Sequence, residues 1–387
     1  MDFDVLIVGA GLAGASLAAA LRTSSLKVGL IEGSPPRRPD GWDARVYAIS
    51  PASVAFLDEI GIWQHLDHAR VAPVYDMRIF GDRDGRLDFS AYDCGLEALA
   101  WIVEASQLQL ELWETVKRQH GVRLLCPARP AALAFDEDGA ELALEDGRSV
   151  RARLVVGADG AASWVREQAG IHARVSPYGE KGVVANFECS LPHDGRALQW
   201  FLADGILAWL PLPGERISMV WSAPDALAEE LVALSPEALC ARVAAAGSET
   251  LGRLTPITPA AAFPLRLMRV GQPFAHRVAL VGDAAHAIHP LSGHGINLGF
   301  QDSRALASRL AALPGWRDPG EASILRAYAR ARAEETLLMQ TTTDGLNRLF
   351  RPTDPLVARI RNFGLNLTNA VPVVRNMLVR YAVSGHF

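Results

Sequence analysis

The opening stretch DVLIVGAGLAGASLAAALR, residues 4 to 22, restricts the fold more than any other part of the 387-residue chain. Five mostly apolar residues read as a buried strand. Gly9, Gly11 and Gly14 follow in the spacing G-x-G-x-x-G, and an alanine-rich helix begins at once. A second strand, KVGLIE, ends at Glu32, 18 residues beyond Gly14, close to the distance at which an acidic side chain reaches a ribose in dinucleotide-binding folds. Glycines in such a turn let the backbone approach a pyrophosphate, whose charge is favoured by the amides and dipole of the helix N-terminus. Glycine spacing alone would be weak evidence; strand, turn, helix and acid in register point to a bound dinucleotide.

Two later segments repeat the device. LVVGADGAASWVREQAGI, residues 154 to 171, ends a strand at Asp159-Gly160, and VALVGDAAHAIHPLSGHGINLGFQD, residues 278 to 302, ends one at Gly282-Asp283. Carboxylates delivered to the carboxyl edge of a sheet sit where α/β proteins bind ligands. Aspartate is also a favoured helix N-cap, so Asp283 could serve its own helix, and the two roles are compatible.

Composition removes several classes. Half the residues are hydrophobic and 21% are charged, a globular balance with room for two domains or one with insertions. The net charge is -5 and the arginines are scattered, which leaves no footprint for nucleic acid. Cys94, Cys126, Cys189 and Cys240 form no C-x-x-C pair, so neither a zinc site nor a disulfide framework is indicated, no metal is expected, and a reducing cytoplasm fits. Asp2 and Asp4 stand where a signal peptide would be basic, and no apolar run reaches the ~20 residues that span a bilayer.

After Glu32 the chain enters SPPRRPDGWDARVYAIS instead of continuing the strand-helix alternation of a nicotinamide dehydrogenase. GVVANFECSL, RALQWFL, GILAWLPL and RISMVWSA, between residues 175 and 270, alternate as antiparallel strands do, and YDMRIFGDRDGRLDFS, residues 75 to 90, reads as a hairpin completing their sheet. Trp200, Trp209 and Trp221 either line an apolar pocket there or pack the sheet. Beyond residue 320 the pattern is helical. LVARIRNFGLNLTNAVPVVRNMLVRYAVSG mixes arginine with apolar residues and suits a membrane surface, a lid or a dimer interface, with Pro372 interrupting any single long helix.

The three strand ends, together with DARVYAIS (43 to 50), WIVEAS (101 to 106), ADGAASWVR (158 to 166), WFLADGILAWLPLP (200 to 213) and HPLSGHGINLG (289 to 299), resemble the class A flavoprotein monooxygenases, and within them the ubiquinone-biosynthesis aromatic hydroxylases. The family has Ala or Gly and then Gly-Gln-Gly where this chain has Ser292-Gly293-His294-Gly295. The resemblance implies an α/β fold: a glutathione-reductase-type, Rossmann-like FAD domain (1–73, 92–174, 271–320) interleaved with an antiparallel-sheet substrate domain (74–91, 175–270) and followed by a helical C-terminal region (321–387).

It further implies FAD on Gly9, Gly11, Gly14, Glu32 and Asp159-Gly160. Asp283, after Gly282, would take the ribityl hydroxyls, and Pro290, Gly293, His294, Gly295, Ile296 and Asn297 the pyrimidine edge of the flavin. Arg45 is expected near the flavin or its phosphates, and Gln107, or Ser106 by helix register, near FAD. The implied reaction is hydroxylation of an apolar aromatic substrate by O2 through a flavin C4a-hydroperoxide, with NAD(P)H or another donor binding transiently. His286, His289 and His294 are the candidates for moving a proton. The implied setting is cytoplasmic, with peripheral contact at the inner face of the cell membrane or a place in a ubiquinone-biosynthesis complex. A related flavoprotein acting on another apolar molecule, or a catalytically silent FAD-binding assembly subunit, would carry the same signals.

Overall fold

The computed structural model describes residues 1–289, 293, 295–351, 354–371, 375 and 376. Five parallel strands form the heart of an eight-stranded sheet in the order Val122–Leu125, Val28–Ile31, Phe3–Val8, Ser149–Gly157 and Val278–Leu280. Val5, Leu6 and Ile7 are wholly buried, as an apolar run must be when both faces of a parallel strand are covered. The helix Leu12–Ala20 presents mainly alanine and glycine, which lets it sit between the helices Ala105–Lys117 and Gly295–Ala311. All three glycine- or aspartate-bearing strand ends lie on adjacent strands of this one sheet.

A nine-stranded sheet runs His286–Ala287, Ala261–Val270, Ala173–Cys189, Arg216–Pro224, Gly205–Leu212, Arg196–Leu202, Asp76–Phe80 and Arg86–Ser90, with Leu254–Pro256 at the side. The hairpin of residues 76–90 therefore joins a strand 120 residues further along the chain, Asp76 pairing with Arg196. His286–Ala287 crosses from the nucleotide-binding part of the chain to pair with Ala261–Val270 and covers backbone groups of that edge. One face of the sheet packs Val183, Phe187, Leu198, Trp200, Trp209, Met219 and Trp221 against the helices Asp225–Ala233 and Pro236–Ala246. The three tryptophans are thus core residues, Trp200 stacking on Phe80 at 5.4 Å, and the pocket alternative for them falls away. A three-stranded sheet, Val46–Ile49, Ala100–Glu104 and Ala72–Val74, lies against the opposite face.

The helix Ala322–Phe350 leads to the helix Pro355–Ala370, which is fixed by side chains that its sequence spaces on one face. Asn362, Asn366 and Asn369 accept hydrogen bonds from the backbone N–H groups of Gly85, Arg86 and Asp88, at 3.1, 2.9 and 3.0 Å. Steps of four and three residues keep a helix face constant. The asparagines satisfy an edge strand that would otherwise offer open donors. Arg361 pairs with Asp82 beside them. Pro372 lies outside the described residues.

Candidate cofactor and substrate site

The glycines of the first turn divide into two kinds. Gly9 has φ +101°, and a Cβ there would lie 2.5 Å from the Ala158 carbonyl oxygen; one on Gly14 would lie 2.0 Å from the Gly9 oxygen. Those two permit the turn itself. Gly11, exposed at the helix N-terminus, would meet nothing within 4 Å. Its missing side chain leaves space outside the protein, which is what a pyrophosphate needs. Glu32 accepts from the Ala10 and Gly33 amides, both at 2.8 Å, and so closes the turn from the second strand.

Gln109, not Gln107, reaches this turn: its amide donates to the Ala10 carbonyl. Gln107 points to the Asp67 carbonyl at 3.2 Å. Two residues along a helix differ by roughly 200°, and the buried stripe Ala105, Leu108, Leu112, Trp113 and Val116 fixes the register that puts Gln109 inward. That stripe is legible in the sequence and would have selected Gln109. Ser106, the other alternative, donates its backbone N–H to Asp43 at 2.9 Å.

Asp159 and Asp283 leave neighbouring strands with different company. Asp159 accepts from the Ser163 hydroxyl and, at 2.9 Å, from the Val165 amide, so both its oxygens serve the start of the helix Trp164–Gln168. Gly160 beside it has φ +83°. Asp283 follows Gly282, whose φ of +60° and close approach to Ala13 exclude a side chain. Its carboxylate accepts no hydrogen bond from a described residue and is open to solvent. Protein nevertheless surrounds it on most sides, the situation of a group on the floor of a cleft. Loss of water there raises the Asp283 pKa; His286, Arg266 and Arg45 pull the other way, and Asp302 adds to the rise.

Arg45, exposed, holds its guanidinium 5.7 Å from the centre of the Phe263 ring and forms no ion pair with a described residue. Tyr47, two residues on and so on the same strand face, has its phenol pKa raised, first by burial and then by Asp283 and Asp43, against the pull of Arg45. Tyr47 was not among the residues expected from sequence; its place in the alternation with Arg45 is the signal for it.

In the glycine loop, Gly293 has φ +63° and abuts Ala48, while Gly295 faces open space. Asn297 spends its amide on the protein: Oδ1 accepts from Ser50 N at 2.9 Å, and Nδ2 donates to the Ala48 and Gly293 carbonyls at 2.8 and 3.2 Å. It ties the loop to the strand Val46–Ile49, and Ile296 packs on the core. Pro290 and His294 lie outside the described residues.

Each of the other two histidines is engaged by a carboxylate. His286, buried, has Nε2 2.6 Å from Asp302, which also accepts from Arg332 Nε at 2.8 Å and from Gly282 N at 2.9 Å. Burial works against a charged imidazole here, but the charge and hydrogen bond of Asp302 outweigh it and raise the His286 pKa. The Asp302 carboxyl is lowered because His286 and Arg332 overcome its own desolvation. His289, fully buried, lies 3.2 Å from Glu180 and edge-on to Tyr178 at 5.0 Å. These contacts hold the strand end in place.

The inner face of the nine-stranded sheet is covered at its two ends. Ala197, Leu210 and Leu212 pack with Ala48, Val74 and Ile102 of the three-stranded sheet, and Phe201 and Ile206 pack under Phe350, with Phe201 and Phe350 stacked. Between these clusters Ala208 and Val220 stay half-buried on central strands and belong to neither cluster. A sheet centre normally closes; here these two side chains keep part of their surface exposed.

The open space at Gly11, the unpartnered Asp283, the unpaired Arg45 and the amide-rich turn fit FAD: donors and room for a pyrophosphate, an acceptor for sugar hydroxyls and a cleft for a flat ring. The comparisons agree. The FAD binding domain family model matches residues 2–341. The ubiquinone hydroxylase UbiL of Rhodospirillum rubrum is 38% identical over 98% of this chain and 89% of that protein. The 3-demethoxyubiquinol 3-hydroxylase of Escherichia coli is 33% identical over 98% of each. The crystal structure of Pseudomonas aeruginosa PqsL in complex with 2-aminobenzoylacetate superposes with a TM-score of 0.79 at 25% identity, covering 95% of this chain and 100% of that one. With the FAD binding domain model matching most of its length and 38% and 33% identity to two such hydroxylases over 98% of its residues, this chain belongs to the FAD-dependent monooxygenase family, among the ubiquinone-biosynthesis hydroxylases.

Proposed function

We propose that the protein hydroxylates the aromatic ring of a polyprenylated phenol in ubiquinone biosynthesis, using O2, with NAD(P)H or another transient donor as the source of electrons. The observation that carries this reading is the half-buried apolar pair Ala208 and Val220, which joins neither of the clusters that cover the two ends of the inner sheet face. Reduced FAD supplies the oxygen chemistry when bound. Gly9 shapes the turn, Gly11 and Gly14 would give its pyrophosphate space and backbone amides, Glu32 its ribose a carboxylate, and Asp283 its ribityl chain an acceptor. Gly282, Gly293 and Gly295 let backbone come close to the ring system, and Arg45, Tyr47 and Gln109 border the same cleft. The inner sheet face excludes water and holds an apolar ring.

Peripheral contact with a membrane or with partner proteins of ubiquinone biosynthesis, on the cytoplasmic side, belongs to the same proposal. On the helix Pro355–Ala370, away from its asparagines, Ile360, Phe363 and Leu367 are 61%, 68% and 53% exposed, with Arg359 beside them. An apolar stripe with a basic flank suits the surface of an anionic bilayer. Among the described residues no helix is long and apolar enough to cross one.

The test is direct. Purified protein should show a flavin spectrum, and with NADPH, O2 and a prenylated phenol it should yield a product heavier by one oxygen atom. A flavin-loaded protein that oxidises NADPH yet gives no oxygenated product with any prenylated phenol, in a strain whose quinone profile is unchanged by deletion, would overturn the proposal.

A further inference from the structure

Gln199 is 3% exposed on the strand Arg196–Leu202. Its neighbours Leu198 and Trp200 pack in the outer core, so strand alternation turns Gln199 to the inner face. There it pairs with Ala208 on one side and Ile79 on the other. Two residues back, Ala197 is part of the cluster with Ala48 and Leu210; two residues on, Phe201 stacks on Phe350. Gln199 therefore occupies the gap between the two clusters, next to half-buried Ala208. Gly293 of the glycine loop abuts Ala48 of the first cluster, and Ala197 and Gln199 are about 7 Å apart along the strand. The glycine loop therefore lies against the same cluster that adjoins Gln199.

The carboxamide of Gln199 makes no hydrogen bond with a described residue. A sheet centre built for packing alone would carry an aliphatic residue there, and a carboxamide with two N–H donors and a carbonyl oxygen left without a protein partner is available to a ligand. Asn186, also on the inner face, donates its Nδ2 to the Asp43 carbonyl at 2.8 Å, and its Oδ1 is buried without a partner among the described residues. Gln199 has neither end of its amide engaged by a described residue and lies beside half-buried Ala208.

We propose that Gln199 is the polar anchor of the substrate cavity: its carboxamide holds the oxygen substituent of the aromatic ring and so decides which ring carbon faces the flavin. An amide can accept a phenol O–H and donate to a phenolate, so it serves the ring before and after loss of its proton. The inference rests on the reading of the protein as an aromatic hydroxylase.

The experiment compares 2-prenylphenol with prenylbenzene, which lacks the oxygen, by the perturbation each causes in the visible spectrum of the FAD-loaded protein. Gln199→Leu should bind the phenol about tenfold more weakly, the effect of one lost hydrogen bond, keep its affinity for prenylbenzene, and scatter hydroxylation over more than one ring position. Gln199→Met repeats the comparison if the leucine variant does not retain flavin. Equal weakening of both ligands, or no weakening of either, overturns the inference and leaves the hydroxylase reading standing. A wild-type protein that binds neither ligand overturns both.

Discussion

Asp159 and Asp283 leave adjacent strands of one parallel sheet, each beside a glycine with positive φ. Asp159 has both carboxylate oxygens filled by the helix that follows. Asp283 has no hydrogen bond from a described residue, although protein crowds it enough to raise its pKa. Similar sequence signals thus produce a cap in one place and an open acceptor in the other. What separates them is the next few residues. Ser163 and a helix starting at Trp164 fold back onto Asp159, whereas Gly282–Ala284 is a single short turn that leads on to the strand His286–Ala287. An unfilled carboxylate in a crowded cleft is unfavourable for folding, and a ligand that donates to it compensates.

The largest effects should come from the first turn. Gly14→Val should prevent folding, since its Cβ would stand 2.0 Å from the Gly9 carbonyl oxygen. Gly11→Val, with no atom in its way, should fold and purify without FAD. Soluble yield and the ratio of flavin to protein absorbance separate the two, and a flavin-loaded Gly11→Val would break the division.

Next comes the support beneath Asp283. Asp302→Ala removes the partner of His286, Arg332 and the Gly282 amide together. Leaving buried cationic groups uncompensated destabilises by about 3–5 kcal/mol. Denaturant unfolding should show a loss of that order, and a loss under about 1 kcal/mol would mean that the open carboxylate needs no such frame.

A smaller effect, of opposite sign, is expected for Asp283→Asn in the flavin-free protein. A raised folded pKa means that the folded state holds the Asp283 proton more tightly than the unfolded chain. The stability linked to this group is therefore fully present below its ordinary pKa of 3.8 and is lost as pH rises through the raised value. At pH 7 the ionised side chain burdens the apo fold, and asparagine should raise Tm, by more at pH 7 than at pH 4. A lower Tm at pH 7 would show that Asp283 is already satisfied. The smallest change should be Asp159→Ala, which removes a cap and should lower stability by about 1 kcal/mol, with flavin retained.

Much of the nucleotide half could be read from the chain because its constraints are local. A glycine turn, an acid 18 residues on and three strand ends are contiguous patterns, and the joining of residues 75–90 to the distant sheet followed from alternation. What escaped was set by distant packing. Whether Asp159 or Asp283 is filled depends on how the following segment turns. The Asn297 side chain is taken up by Ala48 and Ser50, about 250 residues away in the chain, which no local pattern shows. Gln109, and not Gln107, reaches the first glycine turn because the buried stripe of its helix sets the register. Trp200, Trp209 and Trp221 point to the helix-covered face of the sheet, and alternation alone does not say which face the cavity takes.

The comparison stands or falls on FAD affinity measured side by side. Apo protein, Asp159→Asn and Asp283→Asn should each be titrated with FAD by isothermal calorimetry. A charge-assisted hydrogen bond contributes about 1.5–3 kcal/mol, so Asp283→Asn should bind FAD at least about tenfold more weakly than wild type, while Asp159→Asn stays within about threefold. Equal losses in both variants, or the greater loss in Asp159→Asn, would contradict the assignment of Asp283 as the acceptor held open for the cofactor.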